Sequence, residues 1–280
     1  MRSFIVAVYY NQEIASSATW QSLLSHAVGA ADCSVVAADN STDRDILAAN
    51  RDFCQESGIL FIDMGGNRGL PSAYNRAIDS ILRQCAGEEE NTWIILADQD
   101  TTFPEAFLED VTDAASHTDA RLLGPHVKSG ETILSPCRFD GTRFIPWEAD
   151  GIGEDADTRE MYFINSGLAL RADIFLPGSV RYDEGLFLDF ADFDIEDQIR
   201  KLFPGGAGFL PHTVIQQGFS GAQAHTAEKD LTRYRQYLLD GENYYRKWGR
   251  WSSRTRAALF GRGVKLALKH HDARFLKKSG

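Results

Sequence analysis

Along the first 120 positions the apolar residues come either in short unbroken runs or at every third and fourth place. Unbroken runs mark strands buried on both faces of a parallel sheet, and the 3.6-residue recurrence marks helices that cover such a sheet. The runs predict strands over residues 4–10, 34–38, 59–62 and 93–97, and the recurrences predict helices over 15–26, 44–56, 71–85 and 104–116. Within 71–85, Ala73, Ala77 and Ile81 with Ile78 and Leu82 form the inward stripe, and Gly65-Gly66-Asn67-Arg68-Gly69 precedes them as a turn. Strand and helix alternate, which predicts an α/β fold with a doubly wound, mostly parallel sheet. Beyond Arg121 the pattern shortens to strand-like pieces over 122–127 and 131–147, read as a small antiparallel meander, and 151–160 reads as an acidic, turn-rich mobile loop.

Composition narrows the class without choosing a function. The chain has 280 residues, enough for one large or two ordinary domains, and its 43% hydrophobic and 25% charged content is that of a globular protein. Cys33, Cys54, Cys85 and Cys137 stand far apart with no CxxC pair. Neither a zinc site nor a disulfide framework is indicated, and a reduced, cytoplasmic setting is expected. The apolar opening from Phe4 to Val8 is soon interrupted by Asn11, Gln12 and Glu13, too early for a signal segment or a spanning helix.

The net charge of −11 hides an asymmetry. Residues 246–280 hold 11 Lys or Arg and one acid, Asp272, a net +10, while the 18 basic and 39 acidic residues upstream give −21. The acidic body argues against a nucleic-acid partner, whereas a basic tail with Trp248, Trp251 and Phe260 suits an anionic membrane surface. On a helical wheel Phe260, Val264, Ala267, Leu268, His271 and Phe275 share one stripe, with Arg262, Lys265 and Lys269 opposite. That is an interfacial pattern, although a C-terminal helix packed on the domain would carry the same signature.

Candidate chemistry gathers at strand ends. Trp93-Ile94-Ile95-Leu96-Ala97-Asp98-Gln99-Asp100-Thr101-Thr102 is a buried-strand run closed by two carboxylates one residue apart. Ligands of open α/β sheets collect outside the carboxyl ends of the strands, and one or two carboxylates with substrate phosphates suit Mg²⁺ or Mn²⁺. The alternative is an acidic turn in which Asp100, Thr101 or Thr102 caps a helix begun by Pro104. Asp39-Asn40-Ser41-Thr42-Asp43 ends the second strand with groups that can bond a base or ribose, or that simply cap the next helix through Ser41 or Thr42. In Asn67-Arg68-Gly69-Leu70-Pro71-Ser72-Ala73-Tyr74-Asn75, Gly69 lets backbone approach a ligand, the helix start would stabilise a diphosphate, and Arg68 offers counter-charge. Gly205-Gly206-Ala207-Gly208 reads as a turn. Residues 183–197 hold seven acids among aromatic and aliphatic groups. Such carboxylates can have raised pKa values that suit general-base work, with Asp192 aimed into the cleft from a helix ending near Arg200 and Lys201; equally, Asp189, Asp192 and Asp194 would serve as helix-initiating acids.

Taken in order, six segments resemble family 2 inverting glycosyltransferases of the GT-A type, and within them the bacterial rhamnosyltransferase-like group. They are Val8-Tyr9-Tyr10-Asn11, the Asp39–Asp43 and Asn67–Asn75 segments, Leu96-Ala97-Asp98-Gln99-Asp100, Ile164-Asn165-Ser166-Gly167, and Leu186-Phe187-Leu188-Asp189-Phe190-Ala191-Asp192-Phe193-Asp194 with Arg200. The resemblance spans about residues 4–218. It implies a GT-A nucleotide-diphospho-sugar transferase domain over 1–225, with a donor half over about 1–120 and an acceptor half over about 121–225, and a basic helical extension over 226–280.

The same resemblance implies roles. Tyr9, Asn11, Asp39, Asn40, Asn67, Arg68, Gly69, Asn75 and Asp98 fall on the nucleotide-sugar donor, with Asp39 on the base and Asp98 on ribose or metal. Asp100 is a metal ligand, Asp192 the catalytic base, and Asn165, Ser166, Gly167 and Asp189 the acceptor side. The Asp98-Gln99-Asp100 form goes with rhamnosyl transfer. The expected reaction is therefore metal-dependent transfer of L-rhamnose from dTDP-L-rhamnose to a saccharide or polyprenyl-diphosphate-linked acceptor, in cell-surface polysaccharide synthesis. Peripheral contact with the inner face of the cytoplasmic membrane through the basic tail is expected too, and residues 231–248, rich in Tyr and Arg, are expected to shape the acceptor cleft. The family has a histidine near Ile215-Gln216-Gln217-Gly218 as a further metal ligand, where glutamines stand here. Either His225 or His212 supplies it, or fewer protein groups hold the metal. Two rivals stay open: a haloacid-dehalogenase-like phosphatase with Asp98 as nucleophile, whose DxDx(T/V) pattern Asp98 to Thr102 satisfies, and a non-catalytic nucleotide-sugar binding protein.

Overall fold

The computed structural model describes residues 1–147, 158–176, 180–205, 207–218 and 226–277. Its spine is four parallel strands. β1 (Arg2–Tyr9) lies between β2 (Cys33–Asp39) and β4 (Thr92–Asp98), and β3 (Leu60–Asp63) pairs with the outer side of β2. The register sets Tyr9 beside Asp39, Asp39 beside Asp63 and Val8 beside Asp98, so the carboxyl ends of all four strands share one edge.

Beyond β4 the sheet turns mixed. β10 (Ala169–Arg171) runs antiparallel to both β4 and β6 (Leu122–Ser129), β11 (Ala207–Gln217) runs parallel to β6, and β5 (Thr101–Thr102) closes the row antiparallel to β11. β7 (Thr132–Ser135) pairs with β6, while β8 (Cys137–Phe139) and β9 (Phe144–Pro146) form a separate hairpin. The predicted meander is thus split between the main sheet and this hairpin.

Alternation along β1 explains why both faces are covered. Phe4, Val6 and Val8 turn to the face packed by α3 (Leu70–Gln84) and α5 (Ala191–Leu202), while Ile5, Ala7 and Tyr9 turn to the face packed by α2 (Arg44–Ser57) and α4 (Phe107–Ser116). All six are buried, and burying side chains of this size favours the fold by about 1.5–3 kcal/mol each for the larger ones. α6 (Ala227–Lys247) and α7 (Ser253–His270) pack on each other at Gly241, where an added Cβ would stand 2.7 Å from Leu259. Among the described residues, no helix is long and apolar enough to cross a membrane.

Four predicted elements differ in detail. The helix expected over 15–26 breaks into a 3₁₀ turn (Ile14–Ser16), a π turn (Trp20–Leu24) and α1 (Ser25–Ala27). Hydroxyls compete with the backbone there: Ser17 Oγ donates to the Ile14 carbonyl at 2.8 Å and Ser22 Oγ to that of Ala18 at 2.8 Å. The helix expected from 104 starts at Phe107, after a turn closed by the Phe107 N–H on the Pro104 carbonyl. Of the predicted loop over 151–160, only Thr158–Glu160 lies within the described residues, as a 3₁₀ turn. In the tail, α7 stops at His270, His271 takes the left-handed cap conformation (φ 51°), and the chain folds back so that Phe275 is buried beside Tyr234. The apolar stripe therefore shrinks to Phe260, Val264 and Leu268, and Leu259 and Gly263 form the face that packs inward.

Candidate active site

Three elements deliver the acids that matter. β4 ends in Asp98, the link from β4 to β5 carries Asp100, and the first turn of α5 carries Asp192. All three line one cavity of about 880 Å³, which also touches Asn165, Asp189 and Gln217. Its far wall comes from α6 and α7 through Arg233, Tyr237, Tyr245, Arg262 and Lys265.

Asp98 follows Ile94 and Leu96 on the strand and so turns to the α3/α5 face. Its Oδ2 accepts from Ser166 Oγ at 2.5 Å and from Gln217 Nε2 at 3.3 Å. Burial raises its carboxyl above the usual carboxylate range, and the Ser166 bond offsets part of that shift. Among the described residues both bonds fall on Oδ2, which leaves Oδ1 for a ligand. Gln217 reaches Asp98 because β11 pairs antiparallel with β5, setting Gln217 opposite Thr101. An amide therefore occupies the place where the resemblance puts a histidine. His212 is exposed on β11 and does not line the cavity, and His225 lies outside the described residues.

Oxygen groups on Asp98 and Asp100, both at the cavity wall, suit a hard divalent cation that keeps waters and takes substrate phosphates as its other ligands. Among the described residues no group of three or more His, Cys, Asp or Glu could hold a metal.

Asp192 is half-buried, and its Oδ1 accepts from the neighbouring Phe193 N–H at 3.0 Å. Burial, with the negative charges of Asp189 and Asp98, pushes its carboxyl up to about 7. Phe190, in the left-handed region (φ 64°), begins the helix at an angle that the other acids of the run then use differently. Asp189 is held by a two-pronged Arg233 guanidinium, with Nη2 at 2.8 Å from Oδ1. Asp194 binds Lys247 at 2.8 Å and the Trp248 indole at 2.8 Å. Asp197 accepts from the Tyr162 hydroxyl at 2.7 Å, the Tyr244 hydroxyl at 2.6 Å and Arg250 at 2.8 Å. Hence Asp189 and Asp192 face the cavity, while Asp194 and Asp197 tie α5 to the C-terminal helices.

On the donor side several expectations are corrected. Tyr9 points into the core, 0% exposed, with its hydroxyl 3.2 Å from Ser17 Oγ, and cannot touch a donor; by strand alternation the exposed ring is Tyr10. Asn75 clamps the chain near Tyr182, donating to its carbonyl at 2.9 Å and to Glu184 Oε1 at 2.9 Å, and accepting from the Tyr182 N–H at 3.1 Å. The start of α3 is closed by protein: the Leu70 N–H donates to the Phe187 carbonyl at 2.8 Å, and a Cβ on Gly69 (φ +84°) would stand 2.7 Å from that oxygen. The close backbone approach that Gly69 permits in this structure is that of Phe187.

The remaining donor candidates form one loop cluster. Asp39 is buried, accepting from the Ser41 N–H at 2.7 Å and Asn50 Nδ2 at 2.8 Å. Asn40 donates to the Gly69 carbonyl at 3.1 Å and accepts from the Arg68 N–H at 3.1 Å, and Asn67 accepts from the Gly69 N–H at 3.2 Å. Asn11 (φ 49°) accepts from the Thr42 N–H at 2.9 Å and the Asp43 N–H at 3.0 Å. Asn11, Asn67 and Arg68 are exposed. On the acceptor side only Asn165 and Asp189 line the cavity; Ser166 is spent on Asp98, and Gly167 (φ +80°) gives Ile215 room to pack.

One group escaped the sequence reading. Asp240 is fully buried on α6 and accepts from three successive N–H groups, Phe187 at 3.0 Å, Leu188 at 2.9 Å and Asp189 at 2.9 Å, and from Gln236 Nε2 at 2.7 Å. Its signal was an Asp-Gly pair inside a helix, where both residues are poor helix formers.

With that geometry in place, comparison with known proteins is informative. No curated protein matches the chain. Among solved structures, S. aureus TarS 1–349 aligns with a TM-score of 0.57 at 15% identity, over 97% of this chain and 77% of that one. TarS 1–349 in complex with UDP aligns at 0.55, with 15% identity over 97% and 77%, and in complex with UDP-GlcNAc at 0.54, with 14% identity over 98% and 78%. These likenesses are ones of fold, the GT-A fold. The model of glycosyl transferase family 2 matches residues 4–149, just over half of the chain. A phosphatase reading of Asp98 falls with that match, and the chain belongs to glycosyl transferase family 2.

Proposed function

We propose that the protein transfers a sugar from a nucleoside diphosphate donor to an acceptor hydroxyl in one displacement, inverting the anomeric carbon. The observation that carries this reading is the placing of Asp192, its carboxyl pushed up to about 7, in the same cavity wall as Asp98 and Asp100. Asp192 takes the acceptor hydroxyl's proton as its oxygen bonds to the anomeric carbon, and the bond from that carbon to the diphosphate breaks on the opposite side. A base near the working pH is largely ionised yet still basic enough to accept the proton. Arg233 holds Asp189 beside the base, and Asn165, whose Oδ1 accepts from the Tyr182 hydroxyl at 2.9 Å, lines the same cavity. A divalent cation, Mg²⁺ or Mn²⁺, held by Asp100 and the open Oδ1 of Asp98 would neutralise charge on the departing diphosphate. Arg68, exposed at the start of α3, would add counter-charge for it.

In this reading residues 1–120 bind the donor, and residues 121–225 together with the helical extension over 226–280 bind the acceptor. The form Asp98-Gln99-Asp100 supports dTDP-L-rhamnose as donor and a saccharide or polyprenyl-diphosphate-linked acceptor. UDP sugars are the competing donor class, since TarS 1–349 forms a complex with UDP-GlcNAc. A thermal-shift panel with Mn²⁺ tests the choice, since a ligand at 100 times its Kd adds about 2.7 kcal/mol. Stabilisation by dTDP-L-rhamnose that needs Mn²⁺ and vanishes in Asp100→Ala is expected. Stabilisation by UDP sugars alone would overturn the rhamnosyl assignment, and stabilisation by no nucleotide sugar would overturn the transferase reading.

A further inference from the structure

The outer face of α7 carries apolar side chains that the fold leaves uncovered. Phe260, Val264 and Leu268 stand at four-residue spacing on one ridge and are 40%, 39% and 71% exposed. Beside them a groove of about 670 Å³ between α6 and α7 is lined by Leu239, Trp251 and Leu276 as well as Phe260. Five of the eleven large exposed apolar residues among the described residues thus fall within 239–276. Single exposed apolar residues are ordinary, whereas a contiguous set marks a contact surface. The ridge residues do not line the catalytic cavity, so sugar transfer gives them no task.

Cations frame this surface. Arg256 and Arg246, the latter paired with Glu242 at 2.7 Å, lie over the Trp251 ring at 6.0 and 4.9 Å, and Lys277 lines the groove with them. Arg254 and Lys265 stand exposed on the other flank of the ridge. Residues 246–280 carry a formal +10 against −21 for the rest of the chain, and although Lys247, Arg250, Lys269 and Arg274 pair with acids of the fold, Arg254, Arg256 and Lys265 stay exposed beside the ridge. A purely acidic partner would answer the charges and leave the ridge in water. An anionic bilayer answers both, with headgroups on the cations, the acyl boundary on the ridge and an indole at the interface. We infer that α7 docks the protein on an anionic lipid bilayer, ridge inward.

Docking in this way fixes where the catalytic cavity opens. Ala258, Gly261, Arg262 and Lys265 of the same helix line that cavity, and Leu259 lines both cavity and groove. The cavity's basic side then sits at headgroup level, within reach of an acceptor carried on a lipid through an anionic diphosphate. This last step rests on the transferase reading, and the docking itself does not.

Co-sedimentation of the full chain with phosphatidylcholine vesicles, with and without phosphatidylglycerol, tests the docking. The chain is expected to sediment with the anionic vesicles and far less with the neutral ones. Phe260→Ser with Leu268→Ser is expected to lower the partition at least ~10-fold, because two apolar side chains no longer enter the acyl boundary. Arg254→Glu with Arg256→Glu is expected to abolish the preference for anionic vesicles. No sedimentation with anionic vesicles, or equal sedimentation of the serine variant, overturns the inference. So does a dimer in light scattering that the serine variant dissolves, since a second copy would then own the ridge. Nucleotide-sugar binding, read by thermal shift on the same proteins, stays intact if docking alone is wrong and is absent if the transferase reading is wrong.

Discussion

The parallel strands of residues 2–98 and the helices of residues 227–270 are held by opposite means. The strands are apolar through their middles and are covered by helices on both faces. The C-terminal helices reach across the molecule with charge: Asp240 gathers the N–H groups of 187–189, Arg250 and two tyrosines bracket Asp197, and Lys247 with Trp248 brackets Asp194. The apolar region gives the site its platform. The charged region sets the angle of the helix that bears Asp192, so damage there should reach the chemistry sooner.

Asp240→Ala makes the largest break in that contrast. Three N–H groups lose their acceptor, and a loss of about 3 kcal/mol follows from unmade hydrogen bonds to a charged group. Transfer should fall with it, because 187–192 would loosen. By comparison Ile95→Val, in the apolar platform, should cost only about 0.5–1.5 kcal/mol and spare the rate. Chemical denaturation with a rate assay checks both, and a normal rate in Asp240→Ala would erase the distinction between the two regions.

Gly69→Ala probes the seam. Its φ of +84° and the 2.7 Å approach to the Phe187 oxygen together predict a loss of about 1–2 kcal/mol or somewhat more, with turnover falling further than donor affinity. An unchanged melting temperature would show that the seam yields without cost. Tyr9→Phe is the smallest change, removing one hydroxyl contact worth about 1 kcal/mol and leaving donor affinity as it was. Tyr10→Ala should weaken the donor instead. A donor KM that responds to Tyr9 and not to Tyr10 would return Tyr9 to the site.

These contrasts explain how much the sequence could say. The runs at 4–8 and 93–97 and the stripe Ala73, Ala77, Ile81 carry their period in adjacent residues, so strands, helices and the shared carboxyl edge were legible. Asp98, Asp100 and Asp192 were legible as acids placed at element ends, and the cavity brings them together. What stayed hidden depends on partners far along the chain. Nothing near Asn75 announces Tyr182, and nothing near Asp189 announces Arg233 or Asp240. Of the acids in 183–197, local sequence could not tell Asp192, open to the cavity, from Asp194 and Asp197, closed by cations from the C-terminal helices. The broken helix near 15–26 was hidden for a local reason, since serine hydroxyls outbid the backbone pattern that apolar spacing suggested.

The raised carboxyl of Asp192 also leaves a mark on stability. The native state keeps this proton until about pH 7, while the unfolded chain releases it near 3.8, so between those values the native state binds more protons and stability falls as pH rises. Asp192→Asn should therefore melt above the wild type at pH 8 and level with it below about pH 4.

The central claim is that Asp192 acts on the acceptor while Asp98 and Asp100 serve the donor across one cavity. Transfer rates of wild type and Asp192→Asn against pH, with donor binding measured by calorimetry on the same samples, test it most directly. The wild-type rate is expected to climb through about pH 7, and the variant to bind donor normally yet turn over at least ~100-fold more slowly. A variant with the wild-type rate, or one that loses donor binding together with turnover, would contradict it.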